Sequence, residues 1–168
     1  MSEFFYHIHN TNYKDDIWKE GNELYIENEN NPFWNYSLNY TISSDNDINN
    51  ILKEYQMLIR ELGMEEIRKK VFPQLPSRQK CIWLCRKEQI GYWNPKISDK
   101  TEIFKVEIFD RPFKTRDSLI PLPCDSYSEI LKKSKEYWLG TDNTLNEDDE
   151  YLYVGKVKII DKIKETNN

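Results

Sequence analysis

The sequence predicts an α+β domain, and three observations carry that reading. Alternating stretches at 3–9, 101–109 and 150–160 have the period of strands. Two segments, 48–71 and 126–138, repeat apolar residues at three- and four-residue spacing, as amphipathic helices do. The alternating strands look half-exposed and antiparallel rather than buried on both faces, which separates this chain from parallel α/β folds.

Taken in order, "EFFYHIH" reads as the first strand. Its alternation sets Phe4, Tyr6 and Ile8 on one face, the expected core side, and Phe5, His7 and His9 on the other. "WKEG" (18–21) reads as a turn before a short strand near "ELYIE". "NENNPFWNYSLNY" (28–40) reads as a polar and aromatic loop flanking a site. Ser44, Asp45 and Asp47 are candidate N-caps for a helix whose apolar stripe is Ile48, Leu52, Tyr55, Ile59 and Leu62. Gly63 is expected to interrupt that helix, and Pro73 to stop its continuation "MEEIRKKVF".

"KCIWLCR" (80–86) has the compact apolar character of a buried strand, followed by a short helix or turn around "EQIGYW". "TEIFKVEIF" alternates as a strand, "DSYSEILKKSKEYW" is a capped amphipathic helix, and "EYLYVGKVKII" is read as one final strand. Asp117 in "KTRDSLI" is read as a turn or cap residue.

Composition narrows the class. Charged residues make up 32% of the 168, enough to suggest disorder, but eleven Tyr, seven Phe and five Trp supply the apolar area for a core. With no linker and no repeat, residues 1–168 are expected to form a single domain. The net charge of −5 and a pI near 5.2 speak against a dedicated nucleic-acid binder. "IRKK" and "LKKSK" read as solvated helix faces. Three cysteines without a CxxC pair suggest reduced thiols, and the opening residues lack the charge and apolar run of a secretory leader. A cytoplasmic protein that neither spans nor anchors in a membrane is expected; its oligomeric state is not legible.

Motif searches remove several chemistries. GxGxxG, GxxxxGK[ST] and GxSxG are all absent. Cys81 and Cys85 sit in an apolar strand, where thiols are ordinarily inert. His7 and His9, the only histidines, share a strand face as a metal pair would. Their third and fourth ligands cannot be named, so no metal is assigned, and a metal-dependent enzyme stays an alternative that metal analysis would decide. In the acidic run "LNEDDEYLYVG", Glu147, Asp148 and Asp149 suit a solvated turn. Glu150 stands at the strand entry, where the pleat aims its side chain and preorganises a carboxylate.

Three fragments, "FYHIHN", "CIWLCRKEQIGYW" and "EDDEYLYVGKVKII", together resemble the ordered motifs of the ADP-ribosyltransferase-like superfamily. The chain also resembles small bacterial families without assigned function. The resemblance implies split antiparallel β-sheets with flanking helices and a cleft that binds NAD without a glycine fingerprint. It implies that His7 hydrogen-bonds a ribose hydroxyl, that Tyr92 or its neighbour Trp93 stacks on nicotinamide, and that Glu150 (or Glu147) contacts the nicotinamide ribose. Ser77 and Arg78 in "LPSRQK" could meet the diphosphate, Arg through its bidentate fork, or form a polar loop leading into a strand. His9 would line the cleft or sit at the strand end in water.

The implied activity is NAD-dependent: cleavage of the nicotinamide–ribose bond and transfer of ADP-ribose to an acceptor, a protein or small molecule rather than nucleic acid. A toxin, defence or phage effector would fit. The competing expectation is a non-catalytic module that binds a nucleotide or protein through the same cleft.

Overall fold

A computed structural model describes residues 3–13, 16–27 and 29–163. The elements run β1 (Glu3–Asn10), β2 (Glu23–Ile26), α1 (Pro32–Asn39), α2 (Ile48–Val71), β3 (Ile82–Leu84), α3 (Ile90–Ile97), β4 (Thr101–Ile108), β5 (Phe113–Arg116), α4 (Tyr127–Leu139), β6 (Asp149–Tyr153) and β7 (Gly155–Ile163). Two antiparallel sheets result, one ordered β1-β4-β7-β2 and the other β3-β6-β5. The α+β class and the antiparallel pairing follow the expectation. None of the helices described is long and apolar enough to cross a membrane.

The sheets meet along β1 and β3, and only narrowly. Tyr6 and Cys85 exchange two backbone hydrogen bonds of 2.9 Å as a single bridge. At the next residue along β1, the contact is already a side chain reaching across, His7 Nδ1 to the Trp83 carbonyl at 3.0 Å. The split between the sheets therefore opens at His7.

β1 presents the face opposite to the expected one. Phe5 is fully buried, and Phe5 and His7 stand opposite Val106 and Phe104 of β4, at the main inter-sheet core. Phe4 is 47% exposed. Ile8 and Ile103 are buried on the other side, under Ile90, Trp93 and Ile97 of α3. Both faces of this strand carry aromatic or apolar residues, so alternation cannot identify the one that meets the larger core.

The predicted 28–40 loop contains α1. Asn31 caps it by accepting from Trp34 N at 2.9 Å, with Pro32 at the first turn, where its missing N–H is harmless. α2 is not interrupted at Gly63. A Cβ there would lie 2.7 Å from Ile130 Cγ2 of α4, so the glycine lets the two helices approach closely. Asp47 is the N-cap residue, without a capping side-chain bond. The stripe Ile48, Leu52, Tyr55, Ile59 and Leu62 is solvent-exposed, whereas Glu61, Gly63, Met64, Glu65 and Ile67 are buried. Helical period locates an apolar face; the body of the protein packs on the neighbouring one.

"EYLYVGKVKII" forms two strands rather than one. The chain leaves the smaller sheet at Tyr153, passes Val154 and enters the larger at Gly155. Gly155 has φ +124, and a Cβ would sit 3.0 Å from the Tyr153 hydroxyl, so glycine is required there twice over. β5, the four-residue "FKTR", has no counterpart among the expected strands.

Candidate functional site

A cavity of about 1020 Å³ opens along the split. His7, His9, Trp93, Arg78 and Glu150 all line it; Tyr92 and Ser77 do not. β1 supplies the two imidazoles from the larger sheet, and the first turn of β6 supplies Glu150 from the smaller.

His7 is fixed on two sides. A carbonyl can only accept, so Nδ1 carries the proton donated to Trp83 and Nε2 is left as the acceptor nitrogen. The Trp18 indole stacks on the imidazole, centroids 4.0 Å apart and planes inclined by 20°. Desolvation lowers the imidazole pKa to about 4, the Trp83 hydrogen bond partly opposing and the His9 ring reinforcing it. His7 is thus neutral at physiological pH. His9 is buried, its ring centroid 5.9 Å from that of Trp18 and 6.5 Å from that of Phe104, and so is not at a wet strand end.

Glu150 lines the cavity and is 4% exposed. Its Oε1 accepts from Arg78 Nη1 at 2.7 Å and from the Tyr137 hydroxyl in a short hydrogen bond. Arg78 in turn donates Nε to Glu61 Oε2 at 2.9 Å and Nη2 to Glu61 Oε1 at 3.4 Å, and its Nη1 also reaches the Tyr137 hydroxyl at 2.5 Å. A buried guanidinium therefore bridges two carboxylates. Burial raises the Glu150 pKa, with Arg78 and the Tyr137 hydrogen bond working against it. For Glu61 the balance falls the other way: Arg78 and Arg60 together outweigh burial and hold the carboxyl below its usual range.

The residues between which the sequence could not choose are now separated in space. Trp93 faces the cavity and donates Nε1 to the Asp149 carbonyl at 3.0 Å. Tyr92 packs edge-on against it at 5.2 Å and turns its hydroxyl to Asp117 Oδ2 at 2.9 Å, where Lys96 also donates at 2.6 Å. Ser77 donates to Glu65 Oε2 at 3.0 Å, beside the two-pronged Arg68–Glu65 pair, so it serves the α2 junction rather than the cavity. Arg68 of "IRKK" is accordingly a half-buried structural cation, not a solvated one. Glu147 lies outside the cavity lining, in the turn before β6.

Sequence reading misses Glu61, Tyr137, Trp18 and the Asp117–Lys96 pair. Glu61 and Glu65 stand one turn apart on α2, each ion-paired to an arginine, but the Glu61–Arg78 match spans 17 positions and has no local sequence signal. The thiols of Cys81 and Cys85 are buried, and burial pushes both up, Cys85 to about 12, so neither is a nucleophile. Among the described residues no group of three or more His, Cys, Asp and Glu side chains gathers as metal ligands would.

What the cavity lining offers chemically is a neutral hydrogen-bond acceptor at His7, a buried carboxylate at Glu150 and the Trp93 indole. No curated protein matches the chain. Over residues 5–165 it matches the model of the family described as protein of unknown function (DUF2441), and it belongs to that family.

Proposed function

We propose that the protein is an ADP-ribosyltransferase-like enzyme that uses NAD. The observation that carries the reading is the convergence of His7 and Glu150 on one cavity at the split of two antiparallel sheets, from strands 143 positions apart in the chain (150 − 7). The resemblance named those two residues and that kind of split, and the cavity is of the size that ligands of this class fill.

In the proposed reaction His7 Nε2 accepts a hydrogen bond from a ribose hydroxyl and Trp93, rather than Tyr92, lies against the nicotinamide. The bond between the nicotinamide nitrogen and ribose C1′ breaks, and the bonding pair leaves with neutral nicotinamide. Positive charge develops on the ribose, and the Glu150 carboxylate, hydrogen-bonded to the 2′-hydroxyl, stabilises it as in glycoside hydrolysis. Water or an acceptor nucleophile then adds at C1′ and releases one proton. Arg78 and Tyr137 hold Glu150 in place, at the cost of part of its negative charge.

Nicotinamide release from NAD tests this. Wild type should turn over, and Glu150→Gln should lower the rate by about a hundredfold or more, the usual loss for one preorganised electrostatic group, while melting within a few degrees of wild type and still binding NAD. A second reading is supported by the two donors, Arg78 and Tyr137, that already occupy Glu150 Oε1: a non-catalytic module that binds a nucleotide or a protein. NAD binding without nicotinamide release from wild type would establish that reading instead.

A further inference from the structure

At the end of the cavity bounded by α2 and the turn before β3, the lining includes Arg60 and Lys80. The Arg60 side chain is 12% exposed and donates through Nη2 to Glu61 Oε1 at 2.8 Å. Its Nε–H is buried and has no acceptor among the described residues. A buried donor left without a partner is costly, and native structures rarely tolerate one without a reason. Glu61 accepts Nε and Nη2 of Arg78 and Nη2 of Arg60, and makes no hydrogen bond to Arg60 Nε. Lys80, two residues beyond Arg78, makes no ion pair among the described residues.

The charges at this end are three cations, Arg60, Arg78 and Lys80, against two carboxylates, Glu61 and Glu150. Glu27 and Glu29 also line the cavity, but both are exposed, where water and salt weaken their field. We propose that this end is an anion subsite, in which Arg60 and Lys80 hold a phosphate or diphosphate group of the ligand. The inference rests on the NAD reading and deepens it. It moves the diphosphate from Ser77 and Arg78, whose donors already serve Glu65, Glu61, Glu150 and Tyr137, to the adjoining helix and the turn before β3. The chemistry recognised is shared by a dinucleotide, a nucleoside diphosphate and free pyrophosphate.

Calorimetric titration of the full chain with ADP, inorganic pyrophosphate and adenosine separates these sources. ADP and pyrophosphate should bind more weakly as salt rises, with adenosine about tenfold weaker than ADP or worse, the weight of one charge-assisted hydrogen bond. Arg60→Gln and Lys80→Gln should each weaken ADP and pyrophosphate by about tenfold and leave adenosine unchanged. Since Arg60 also serves Glu61, Lys80→Gln on a separate element keeps the test independent of α2 stability. Unchanged ADP affinity in both variants, or no binding of either phosphate ligand, overturns the subsite. If pyrophosphate binding depends on Arg60 and Lys80 but NAD is never cleaved, the subsite stands and the enzyme reading falls. If both variants cleave NAD with unaltered KM, the enzyme reading stands and the subsite falls.

Discussion

The His7 imidazole brings a pH dependence of stability that follows from burial. Its folded pKa lies near 4 against an ordinary value of 6.5, so the unfolded chain binds a proton first as pH falls. Stability from this group is therefore complete above about pH 6.5 and declines between 6.5 and 4, reaching a loss of about 2 kcal/mol by pH 5. In His7→Asn an amide replaces the Nδ1 donor to Trp83 without a titrating group. Urea melts at pH 7 and pH 5 should show a larger drop for wild type than for this variant; equal drops would mean that the imidazole titrates as if in water. Arg78 makes the opposite kind of prediction. Arg78→Met leaves Glu61 and Glu150 buried without their shared cation and should cost about 3–5 kcal/mol in urea denaturation. The cost should shrink on mild acidification, as the carboxyls take up protons. Ser77→Ala, one residue away, should cost only about 1 kcal/mol, because Arg68 remains on Glu65.

Elements are legible where period and length agree, and misread where a residue type carries two meanings. Gly63 is the clearest case. In an isolated helix a glycine is a weak point, but here its missing Cβ makes room for Ile130. Gly63→Ala should destabilise by about 1–3 kcal/mol through overpacking, despite the gain in helix propensity. Gly91, in α3, has nothing within 4 Å of the position a Cβ would take, and should behave oppositely: Gly91→Ala should gain up to about 1 kcal/mol. Thermal melts of the two variants read both signs in one experiment. The apolar stripe of α2 and the two-faced burial of β1 share a cause: sequence period tells which residues lie together, and only tertiary packing tells what covers them.

At the scale of the whole molecule, most strands and their antiparallel pairing are legible in the sequence, the split into two sheets enters only through the resemblance, and His7 and Glu150 are found lining one cavity. The Glu61–Arg78–Glu150 bridge is not legible, because its members stand 17 and 72 positions apart and no local pattern links them. A ligand that fills the split should stabilise the fold as a unit. On the proposed reading, NAD at a hundredfold excess over its dissociation constant should add about 2.7 kcal/mol, an increase in Tm of several degrees for a chain of this size, and a melt unchanged by NAD would count against that reading. The passage of residues 149–163 through both sheets also bears on synthesis. β6 is the interior strand between β3 and β5, and β7 the interior strand between β4 and β2. While a ribosome has yet to deliver this stretch, β2, β3 and β5 lack their ladder partners, and their open edges are a hazard of aggregation for the nascent polypeptide. Folding must wait for translation to pass residue 163, after which one insertion seals both halves together.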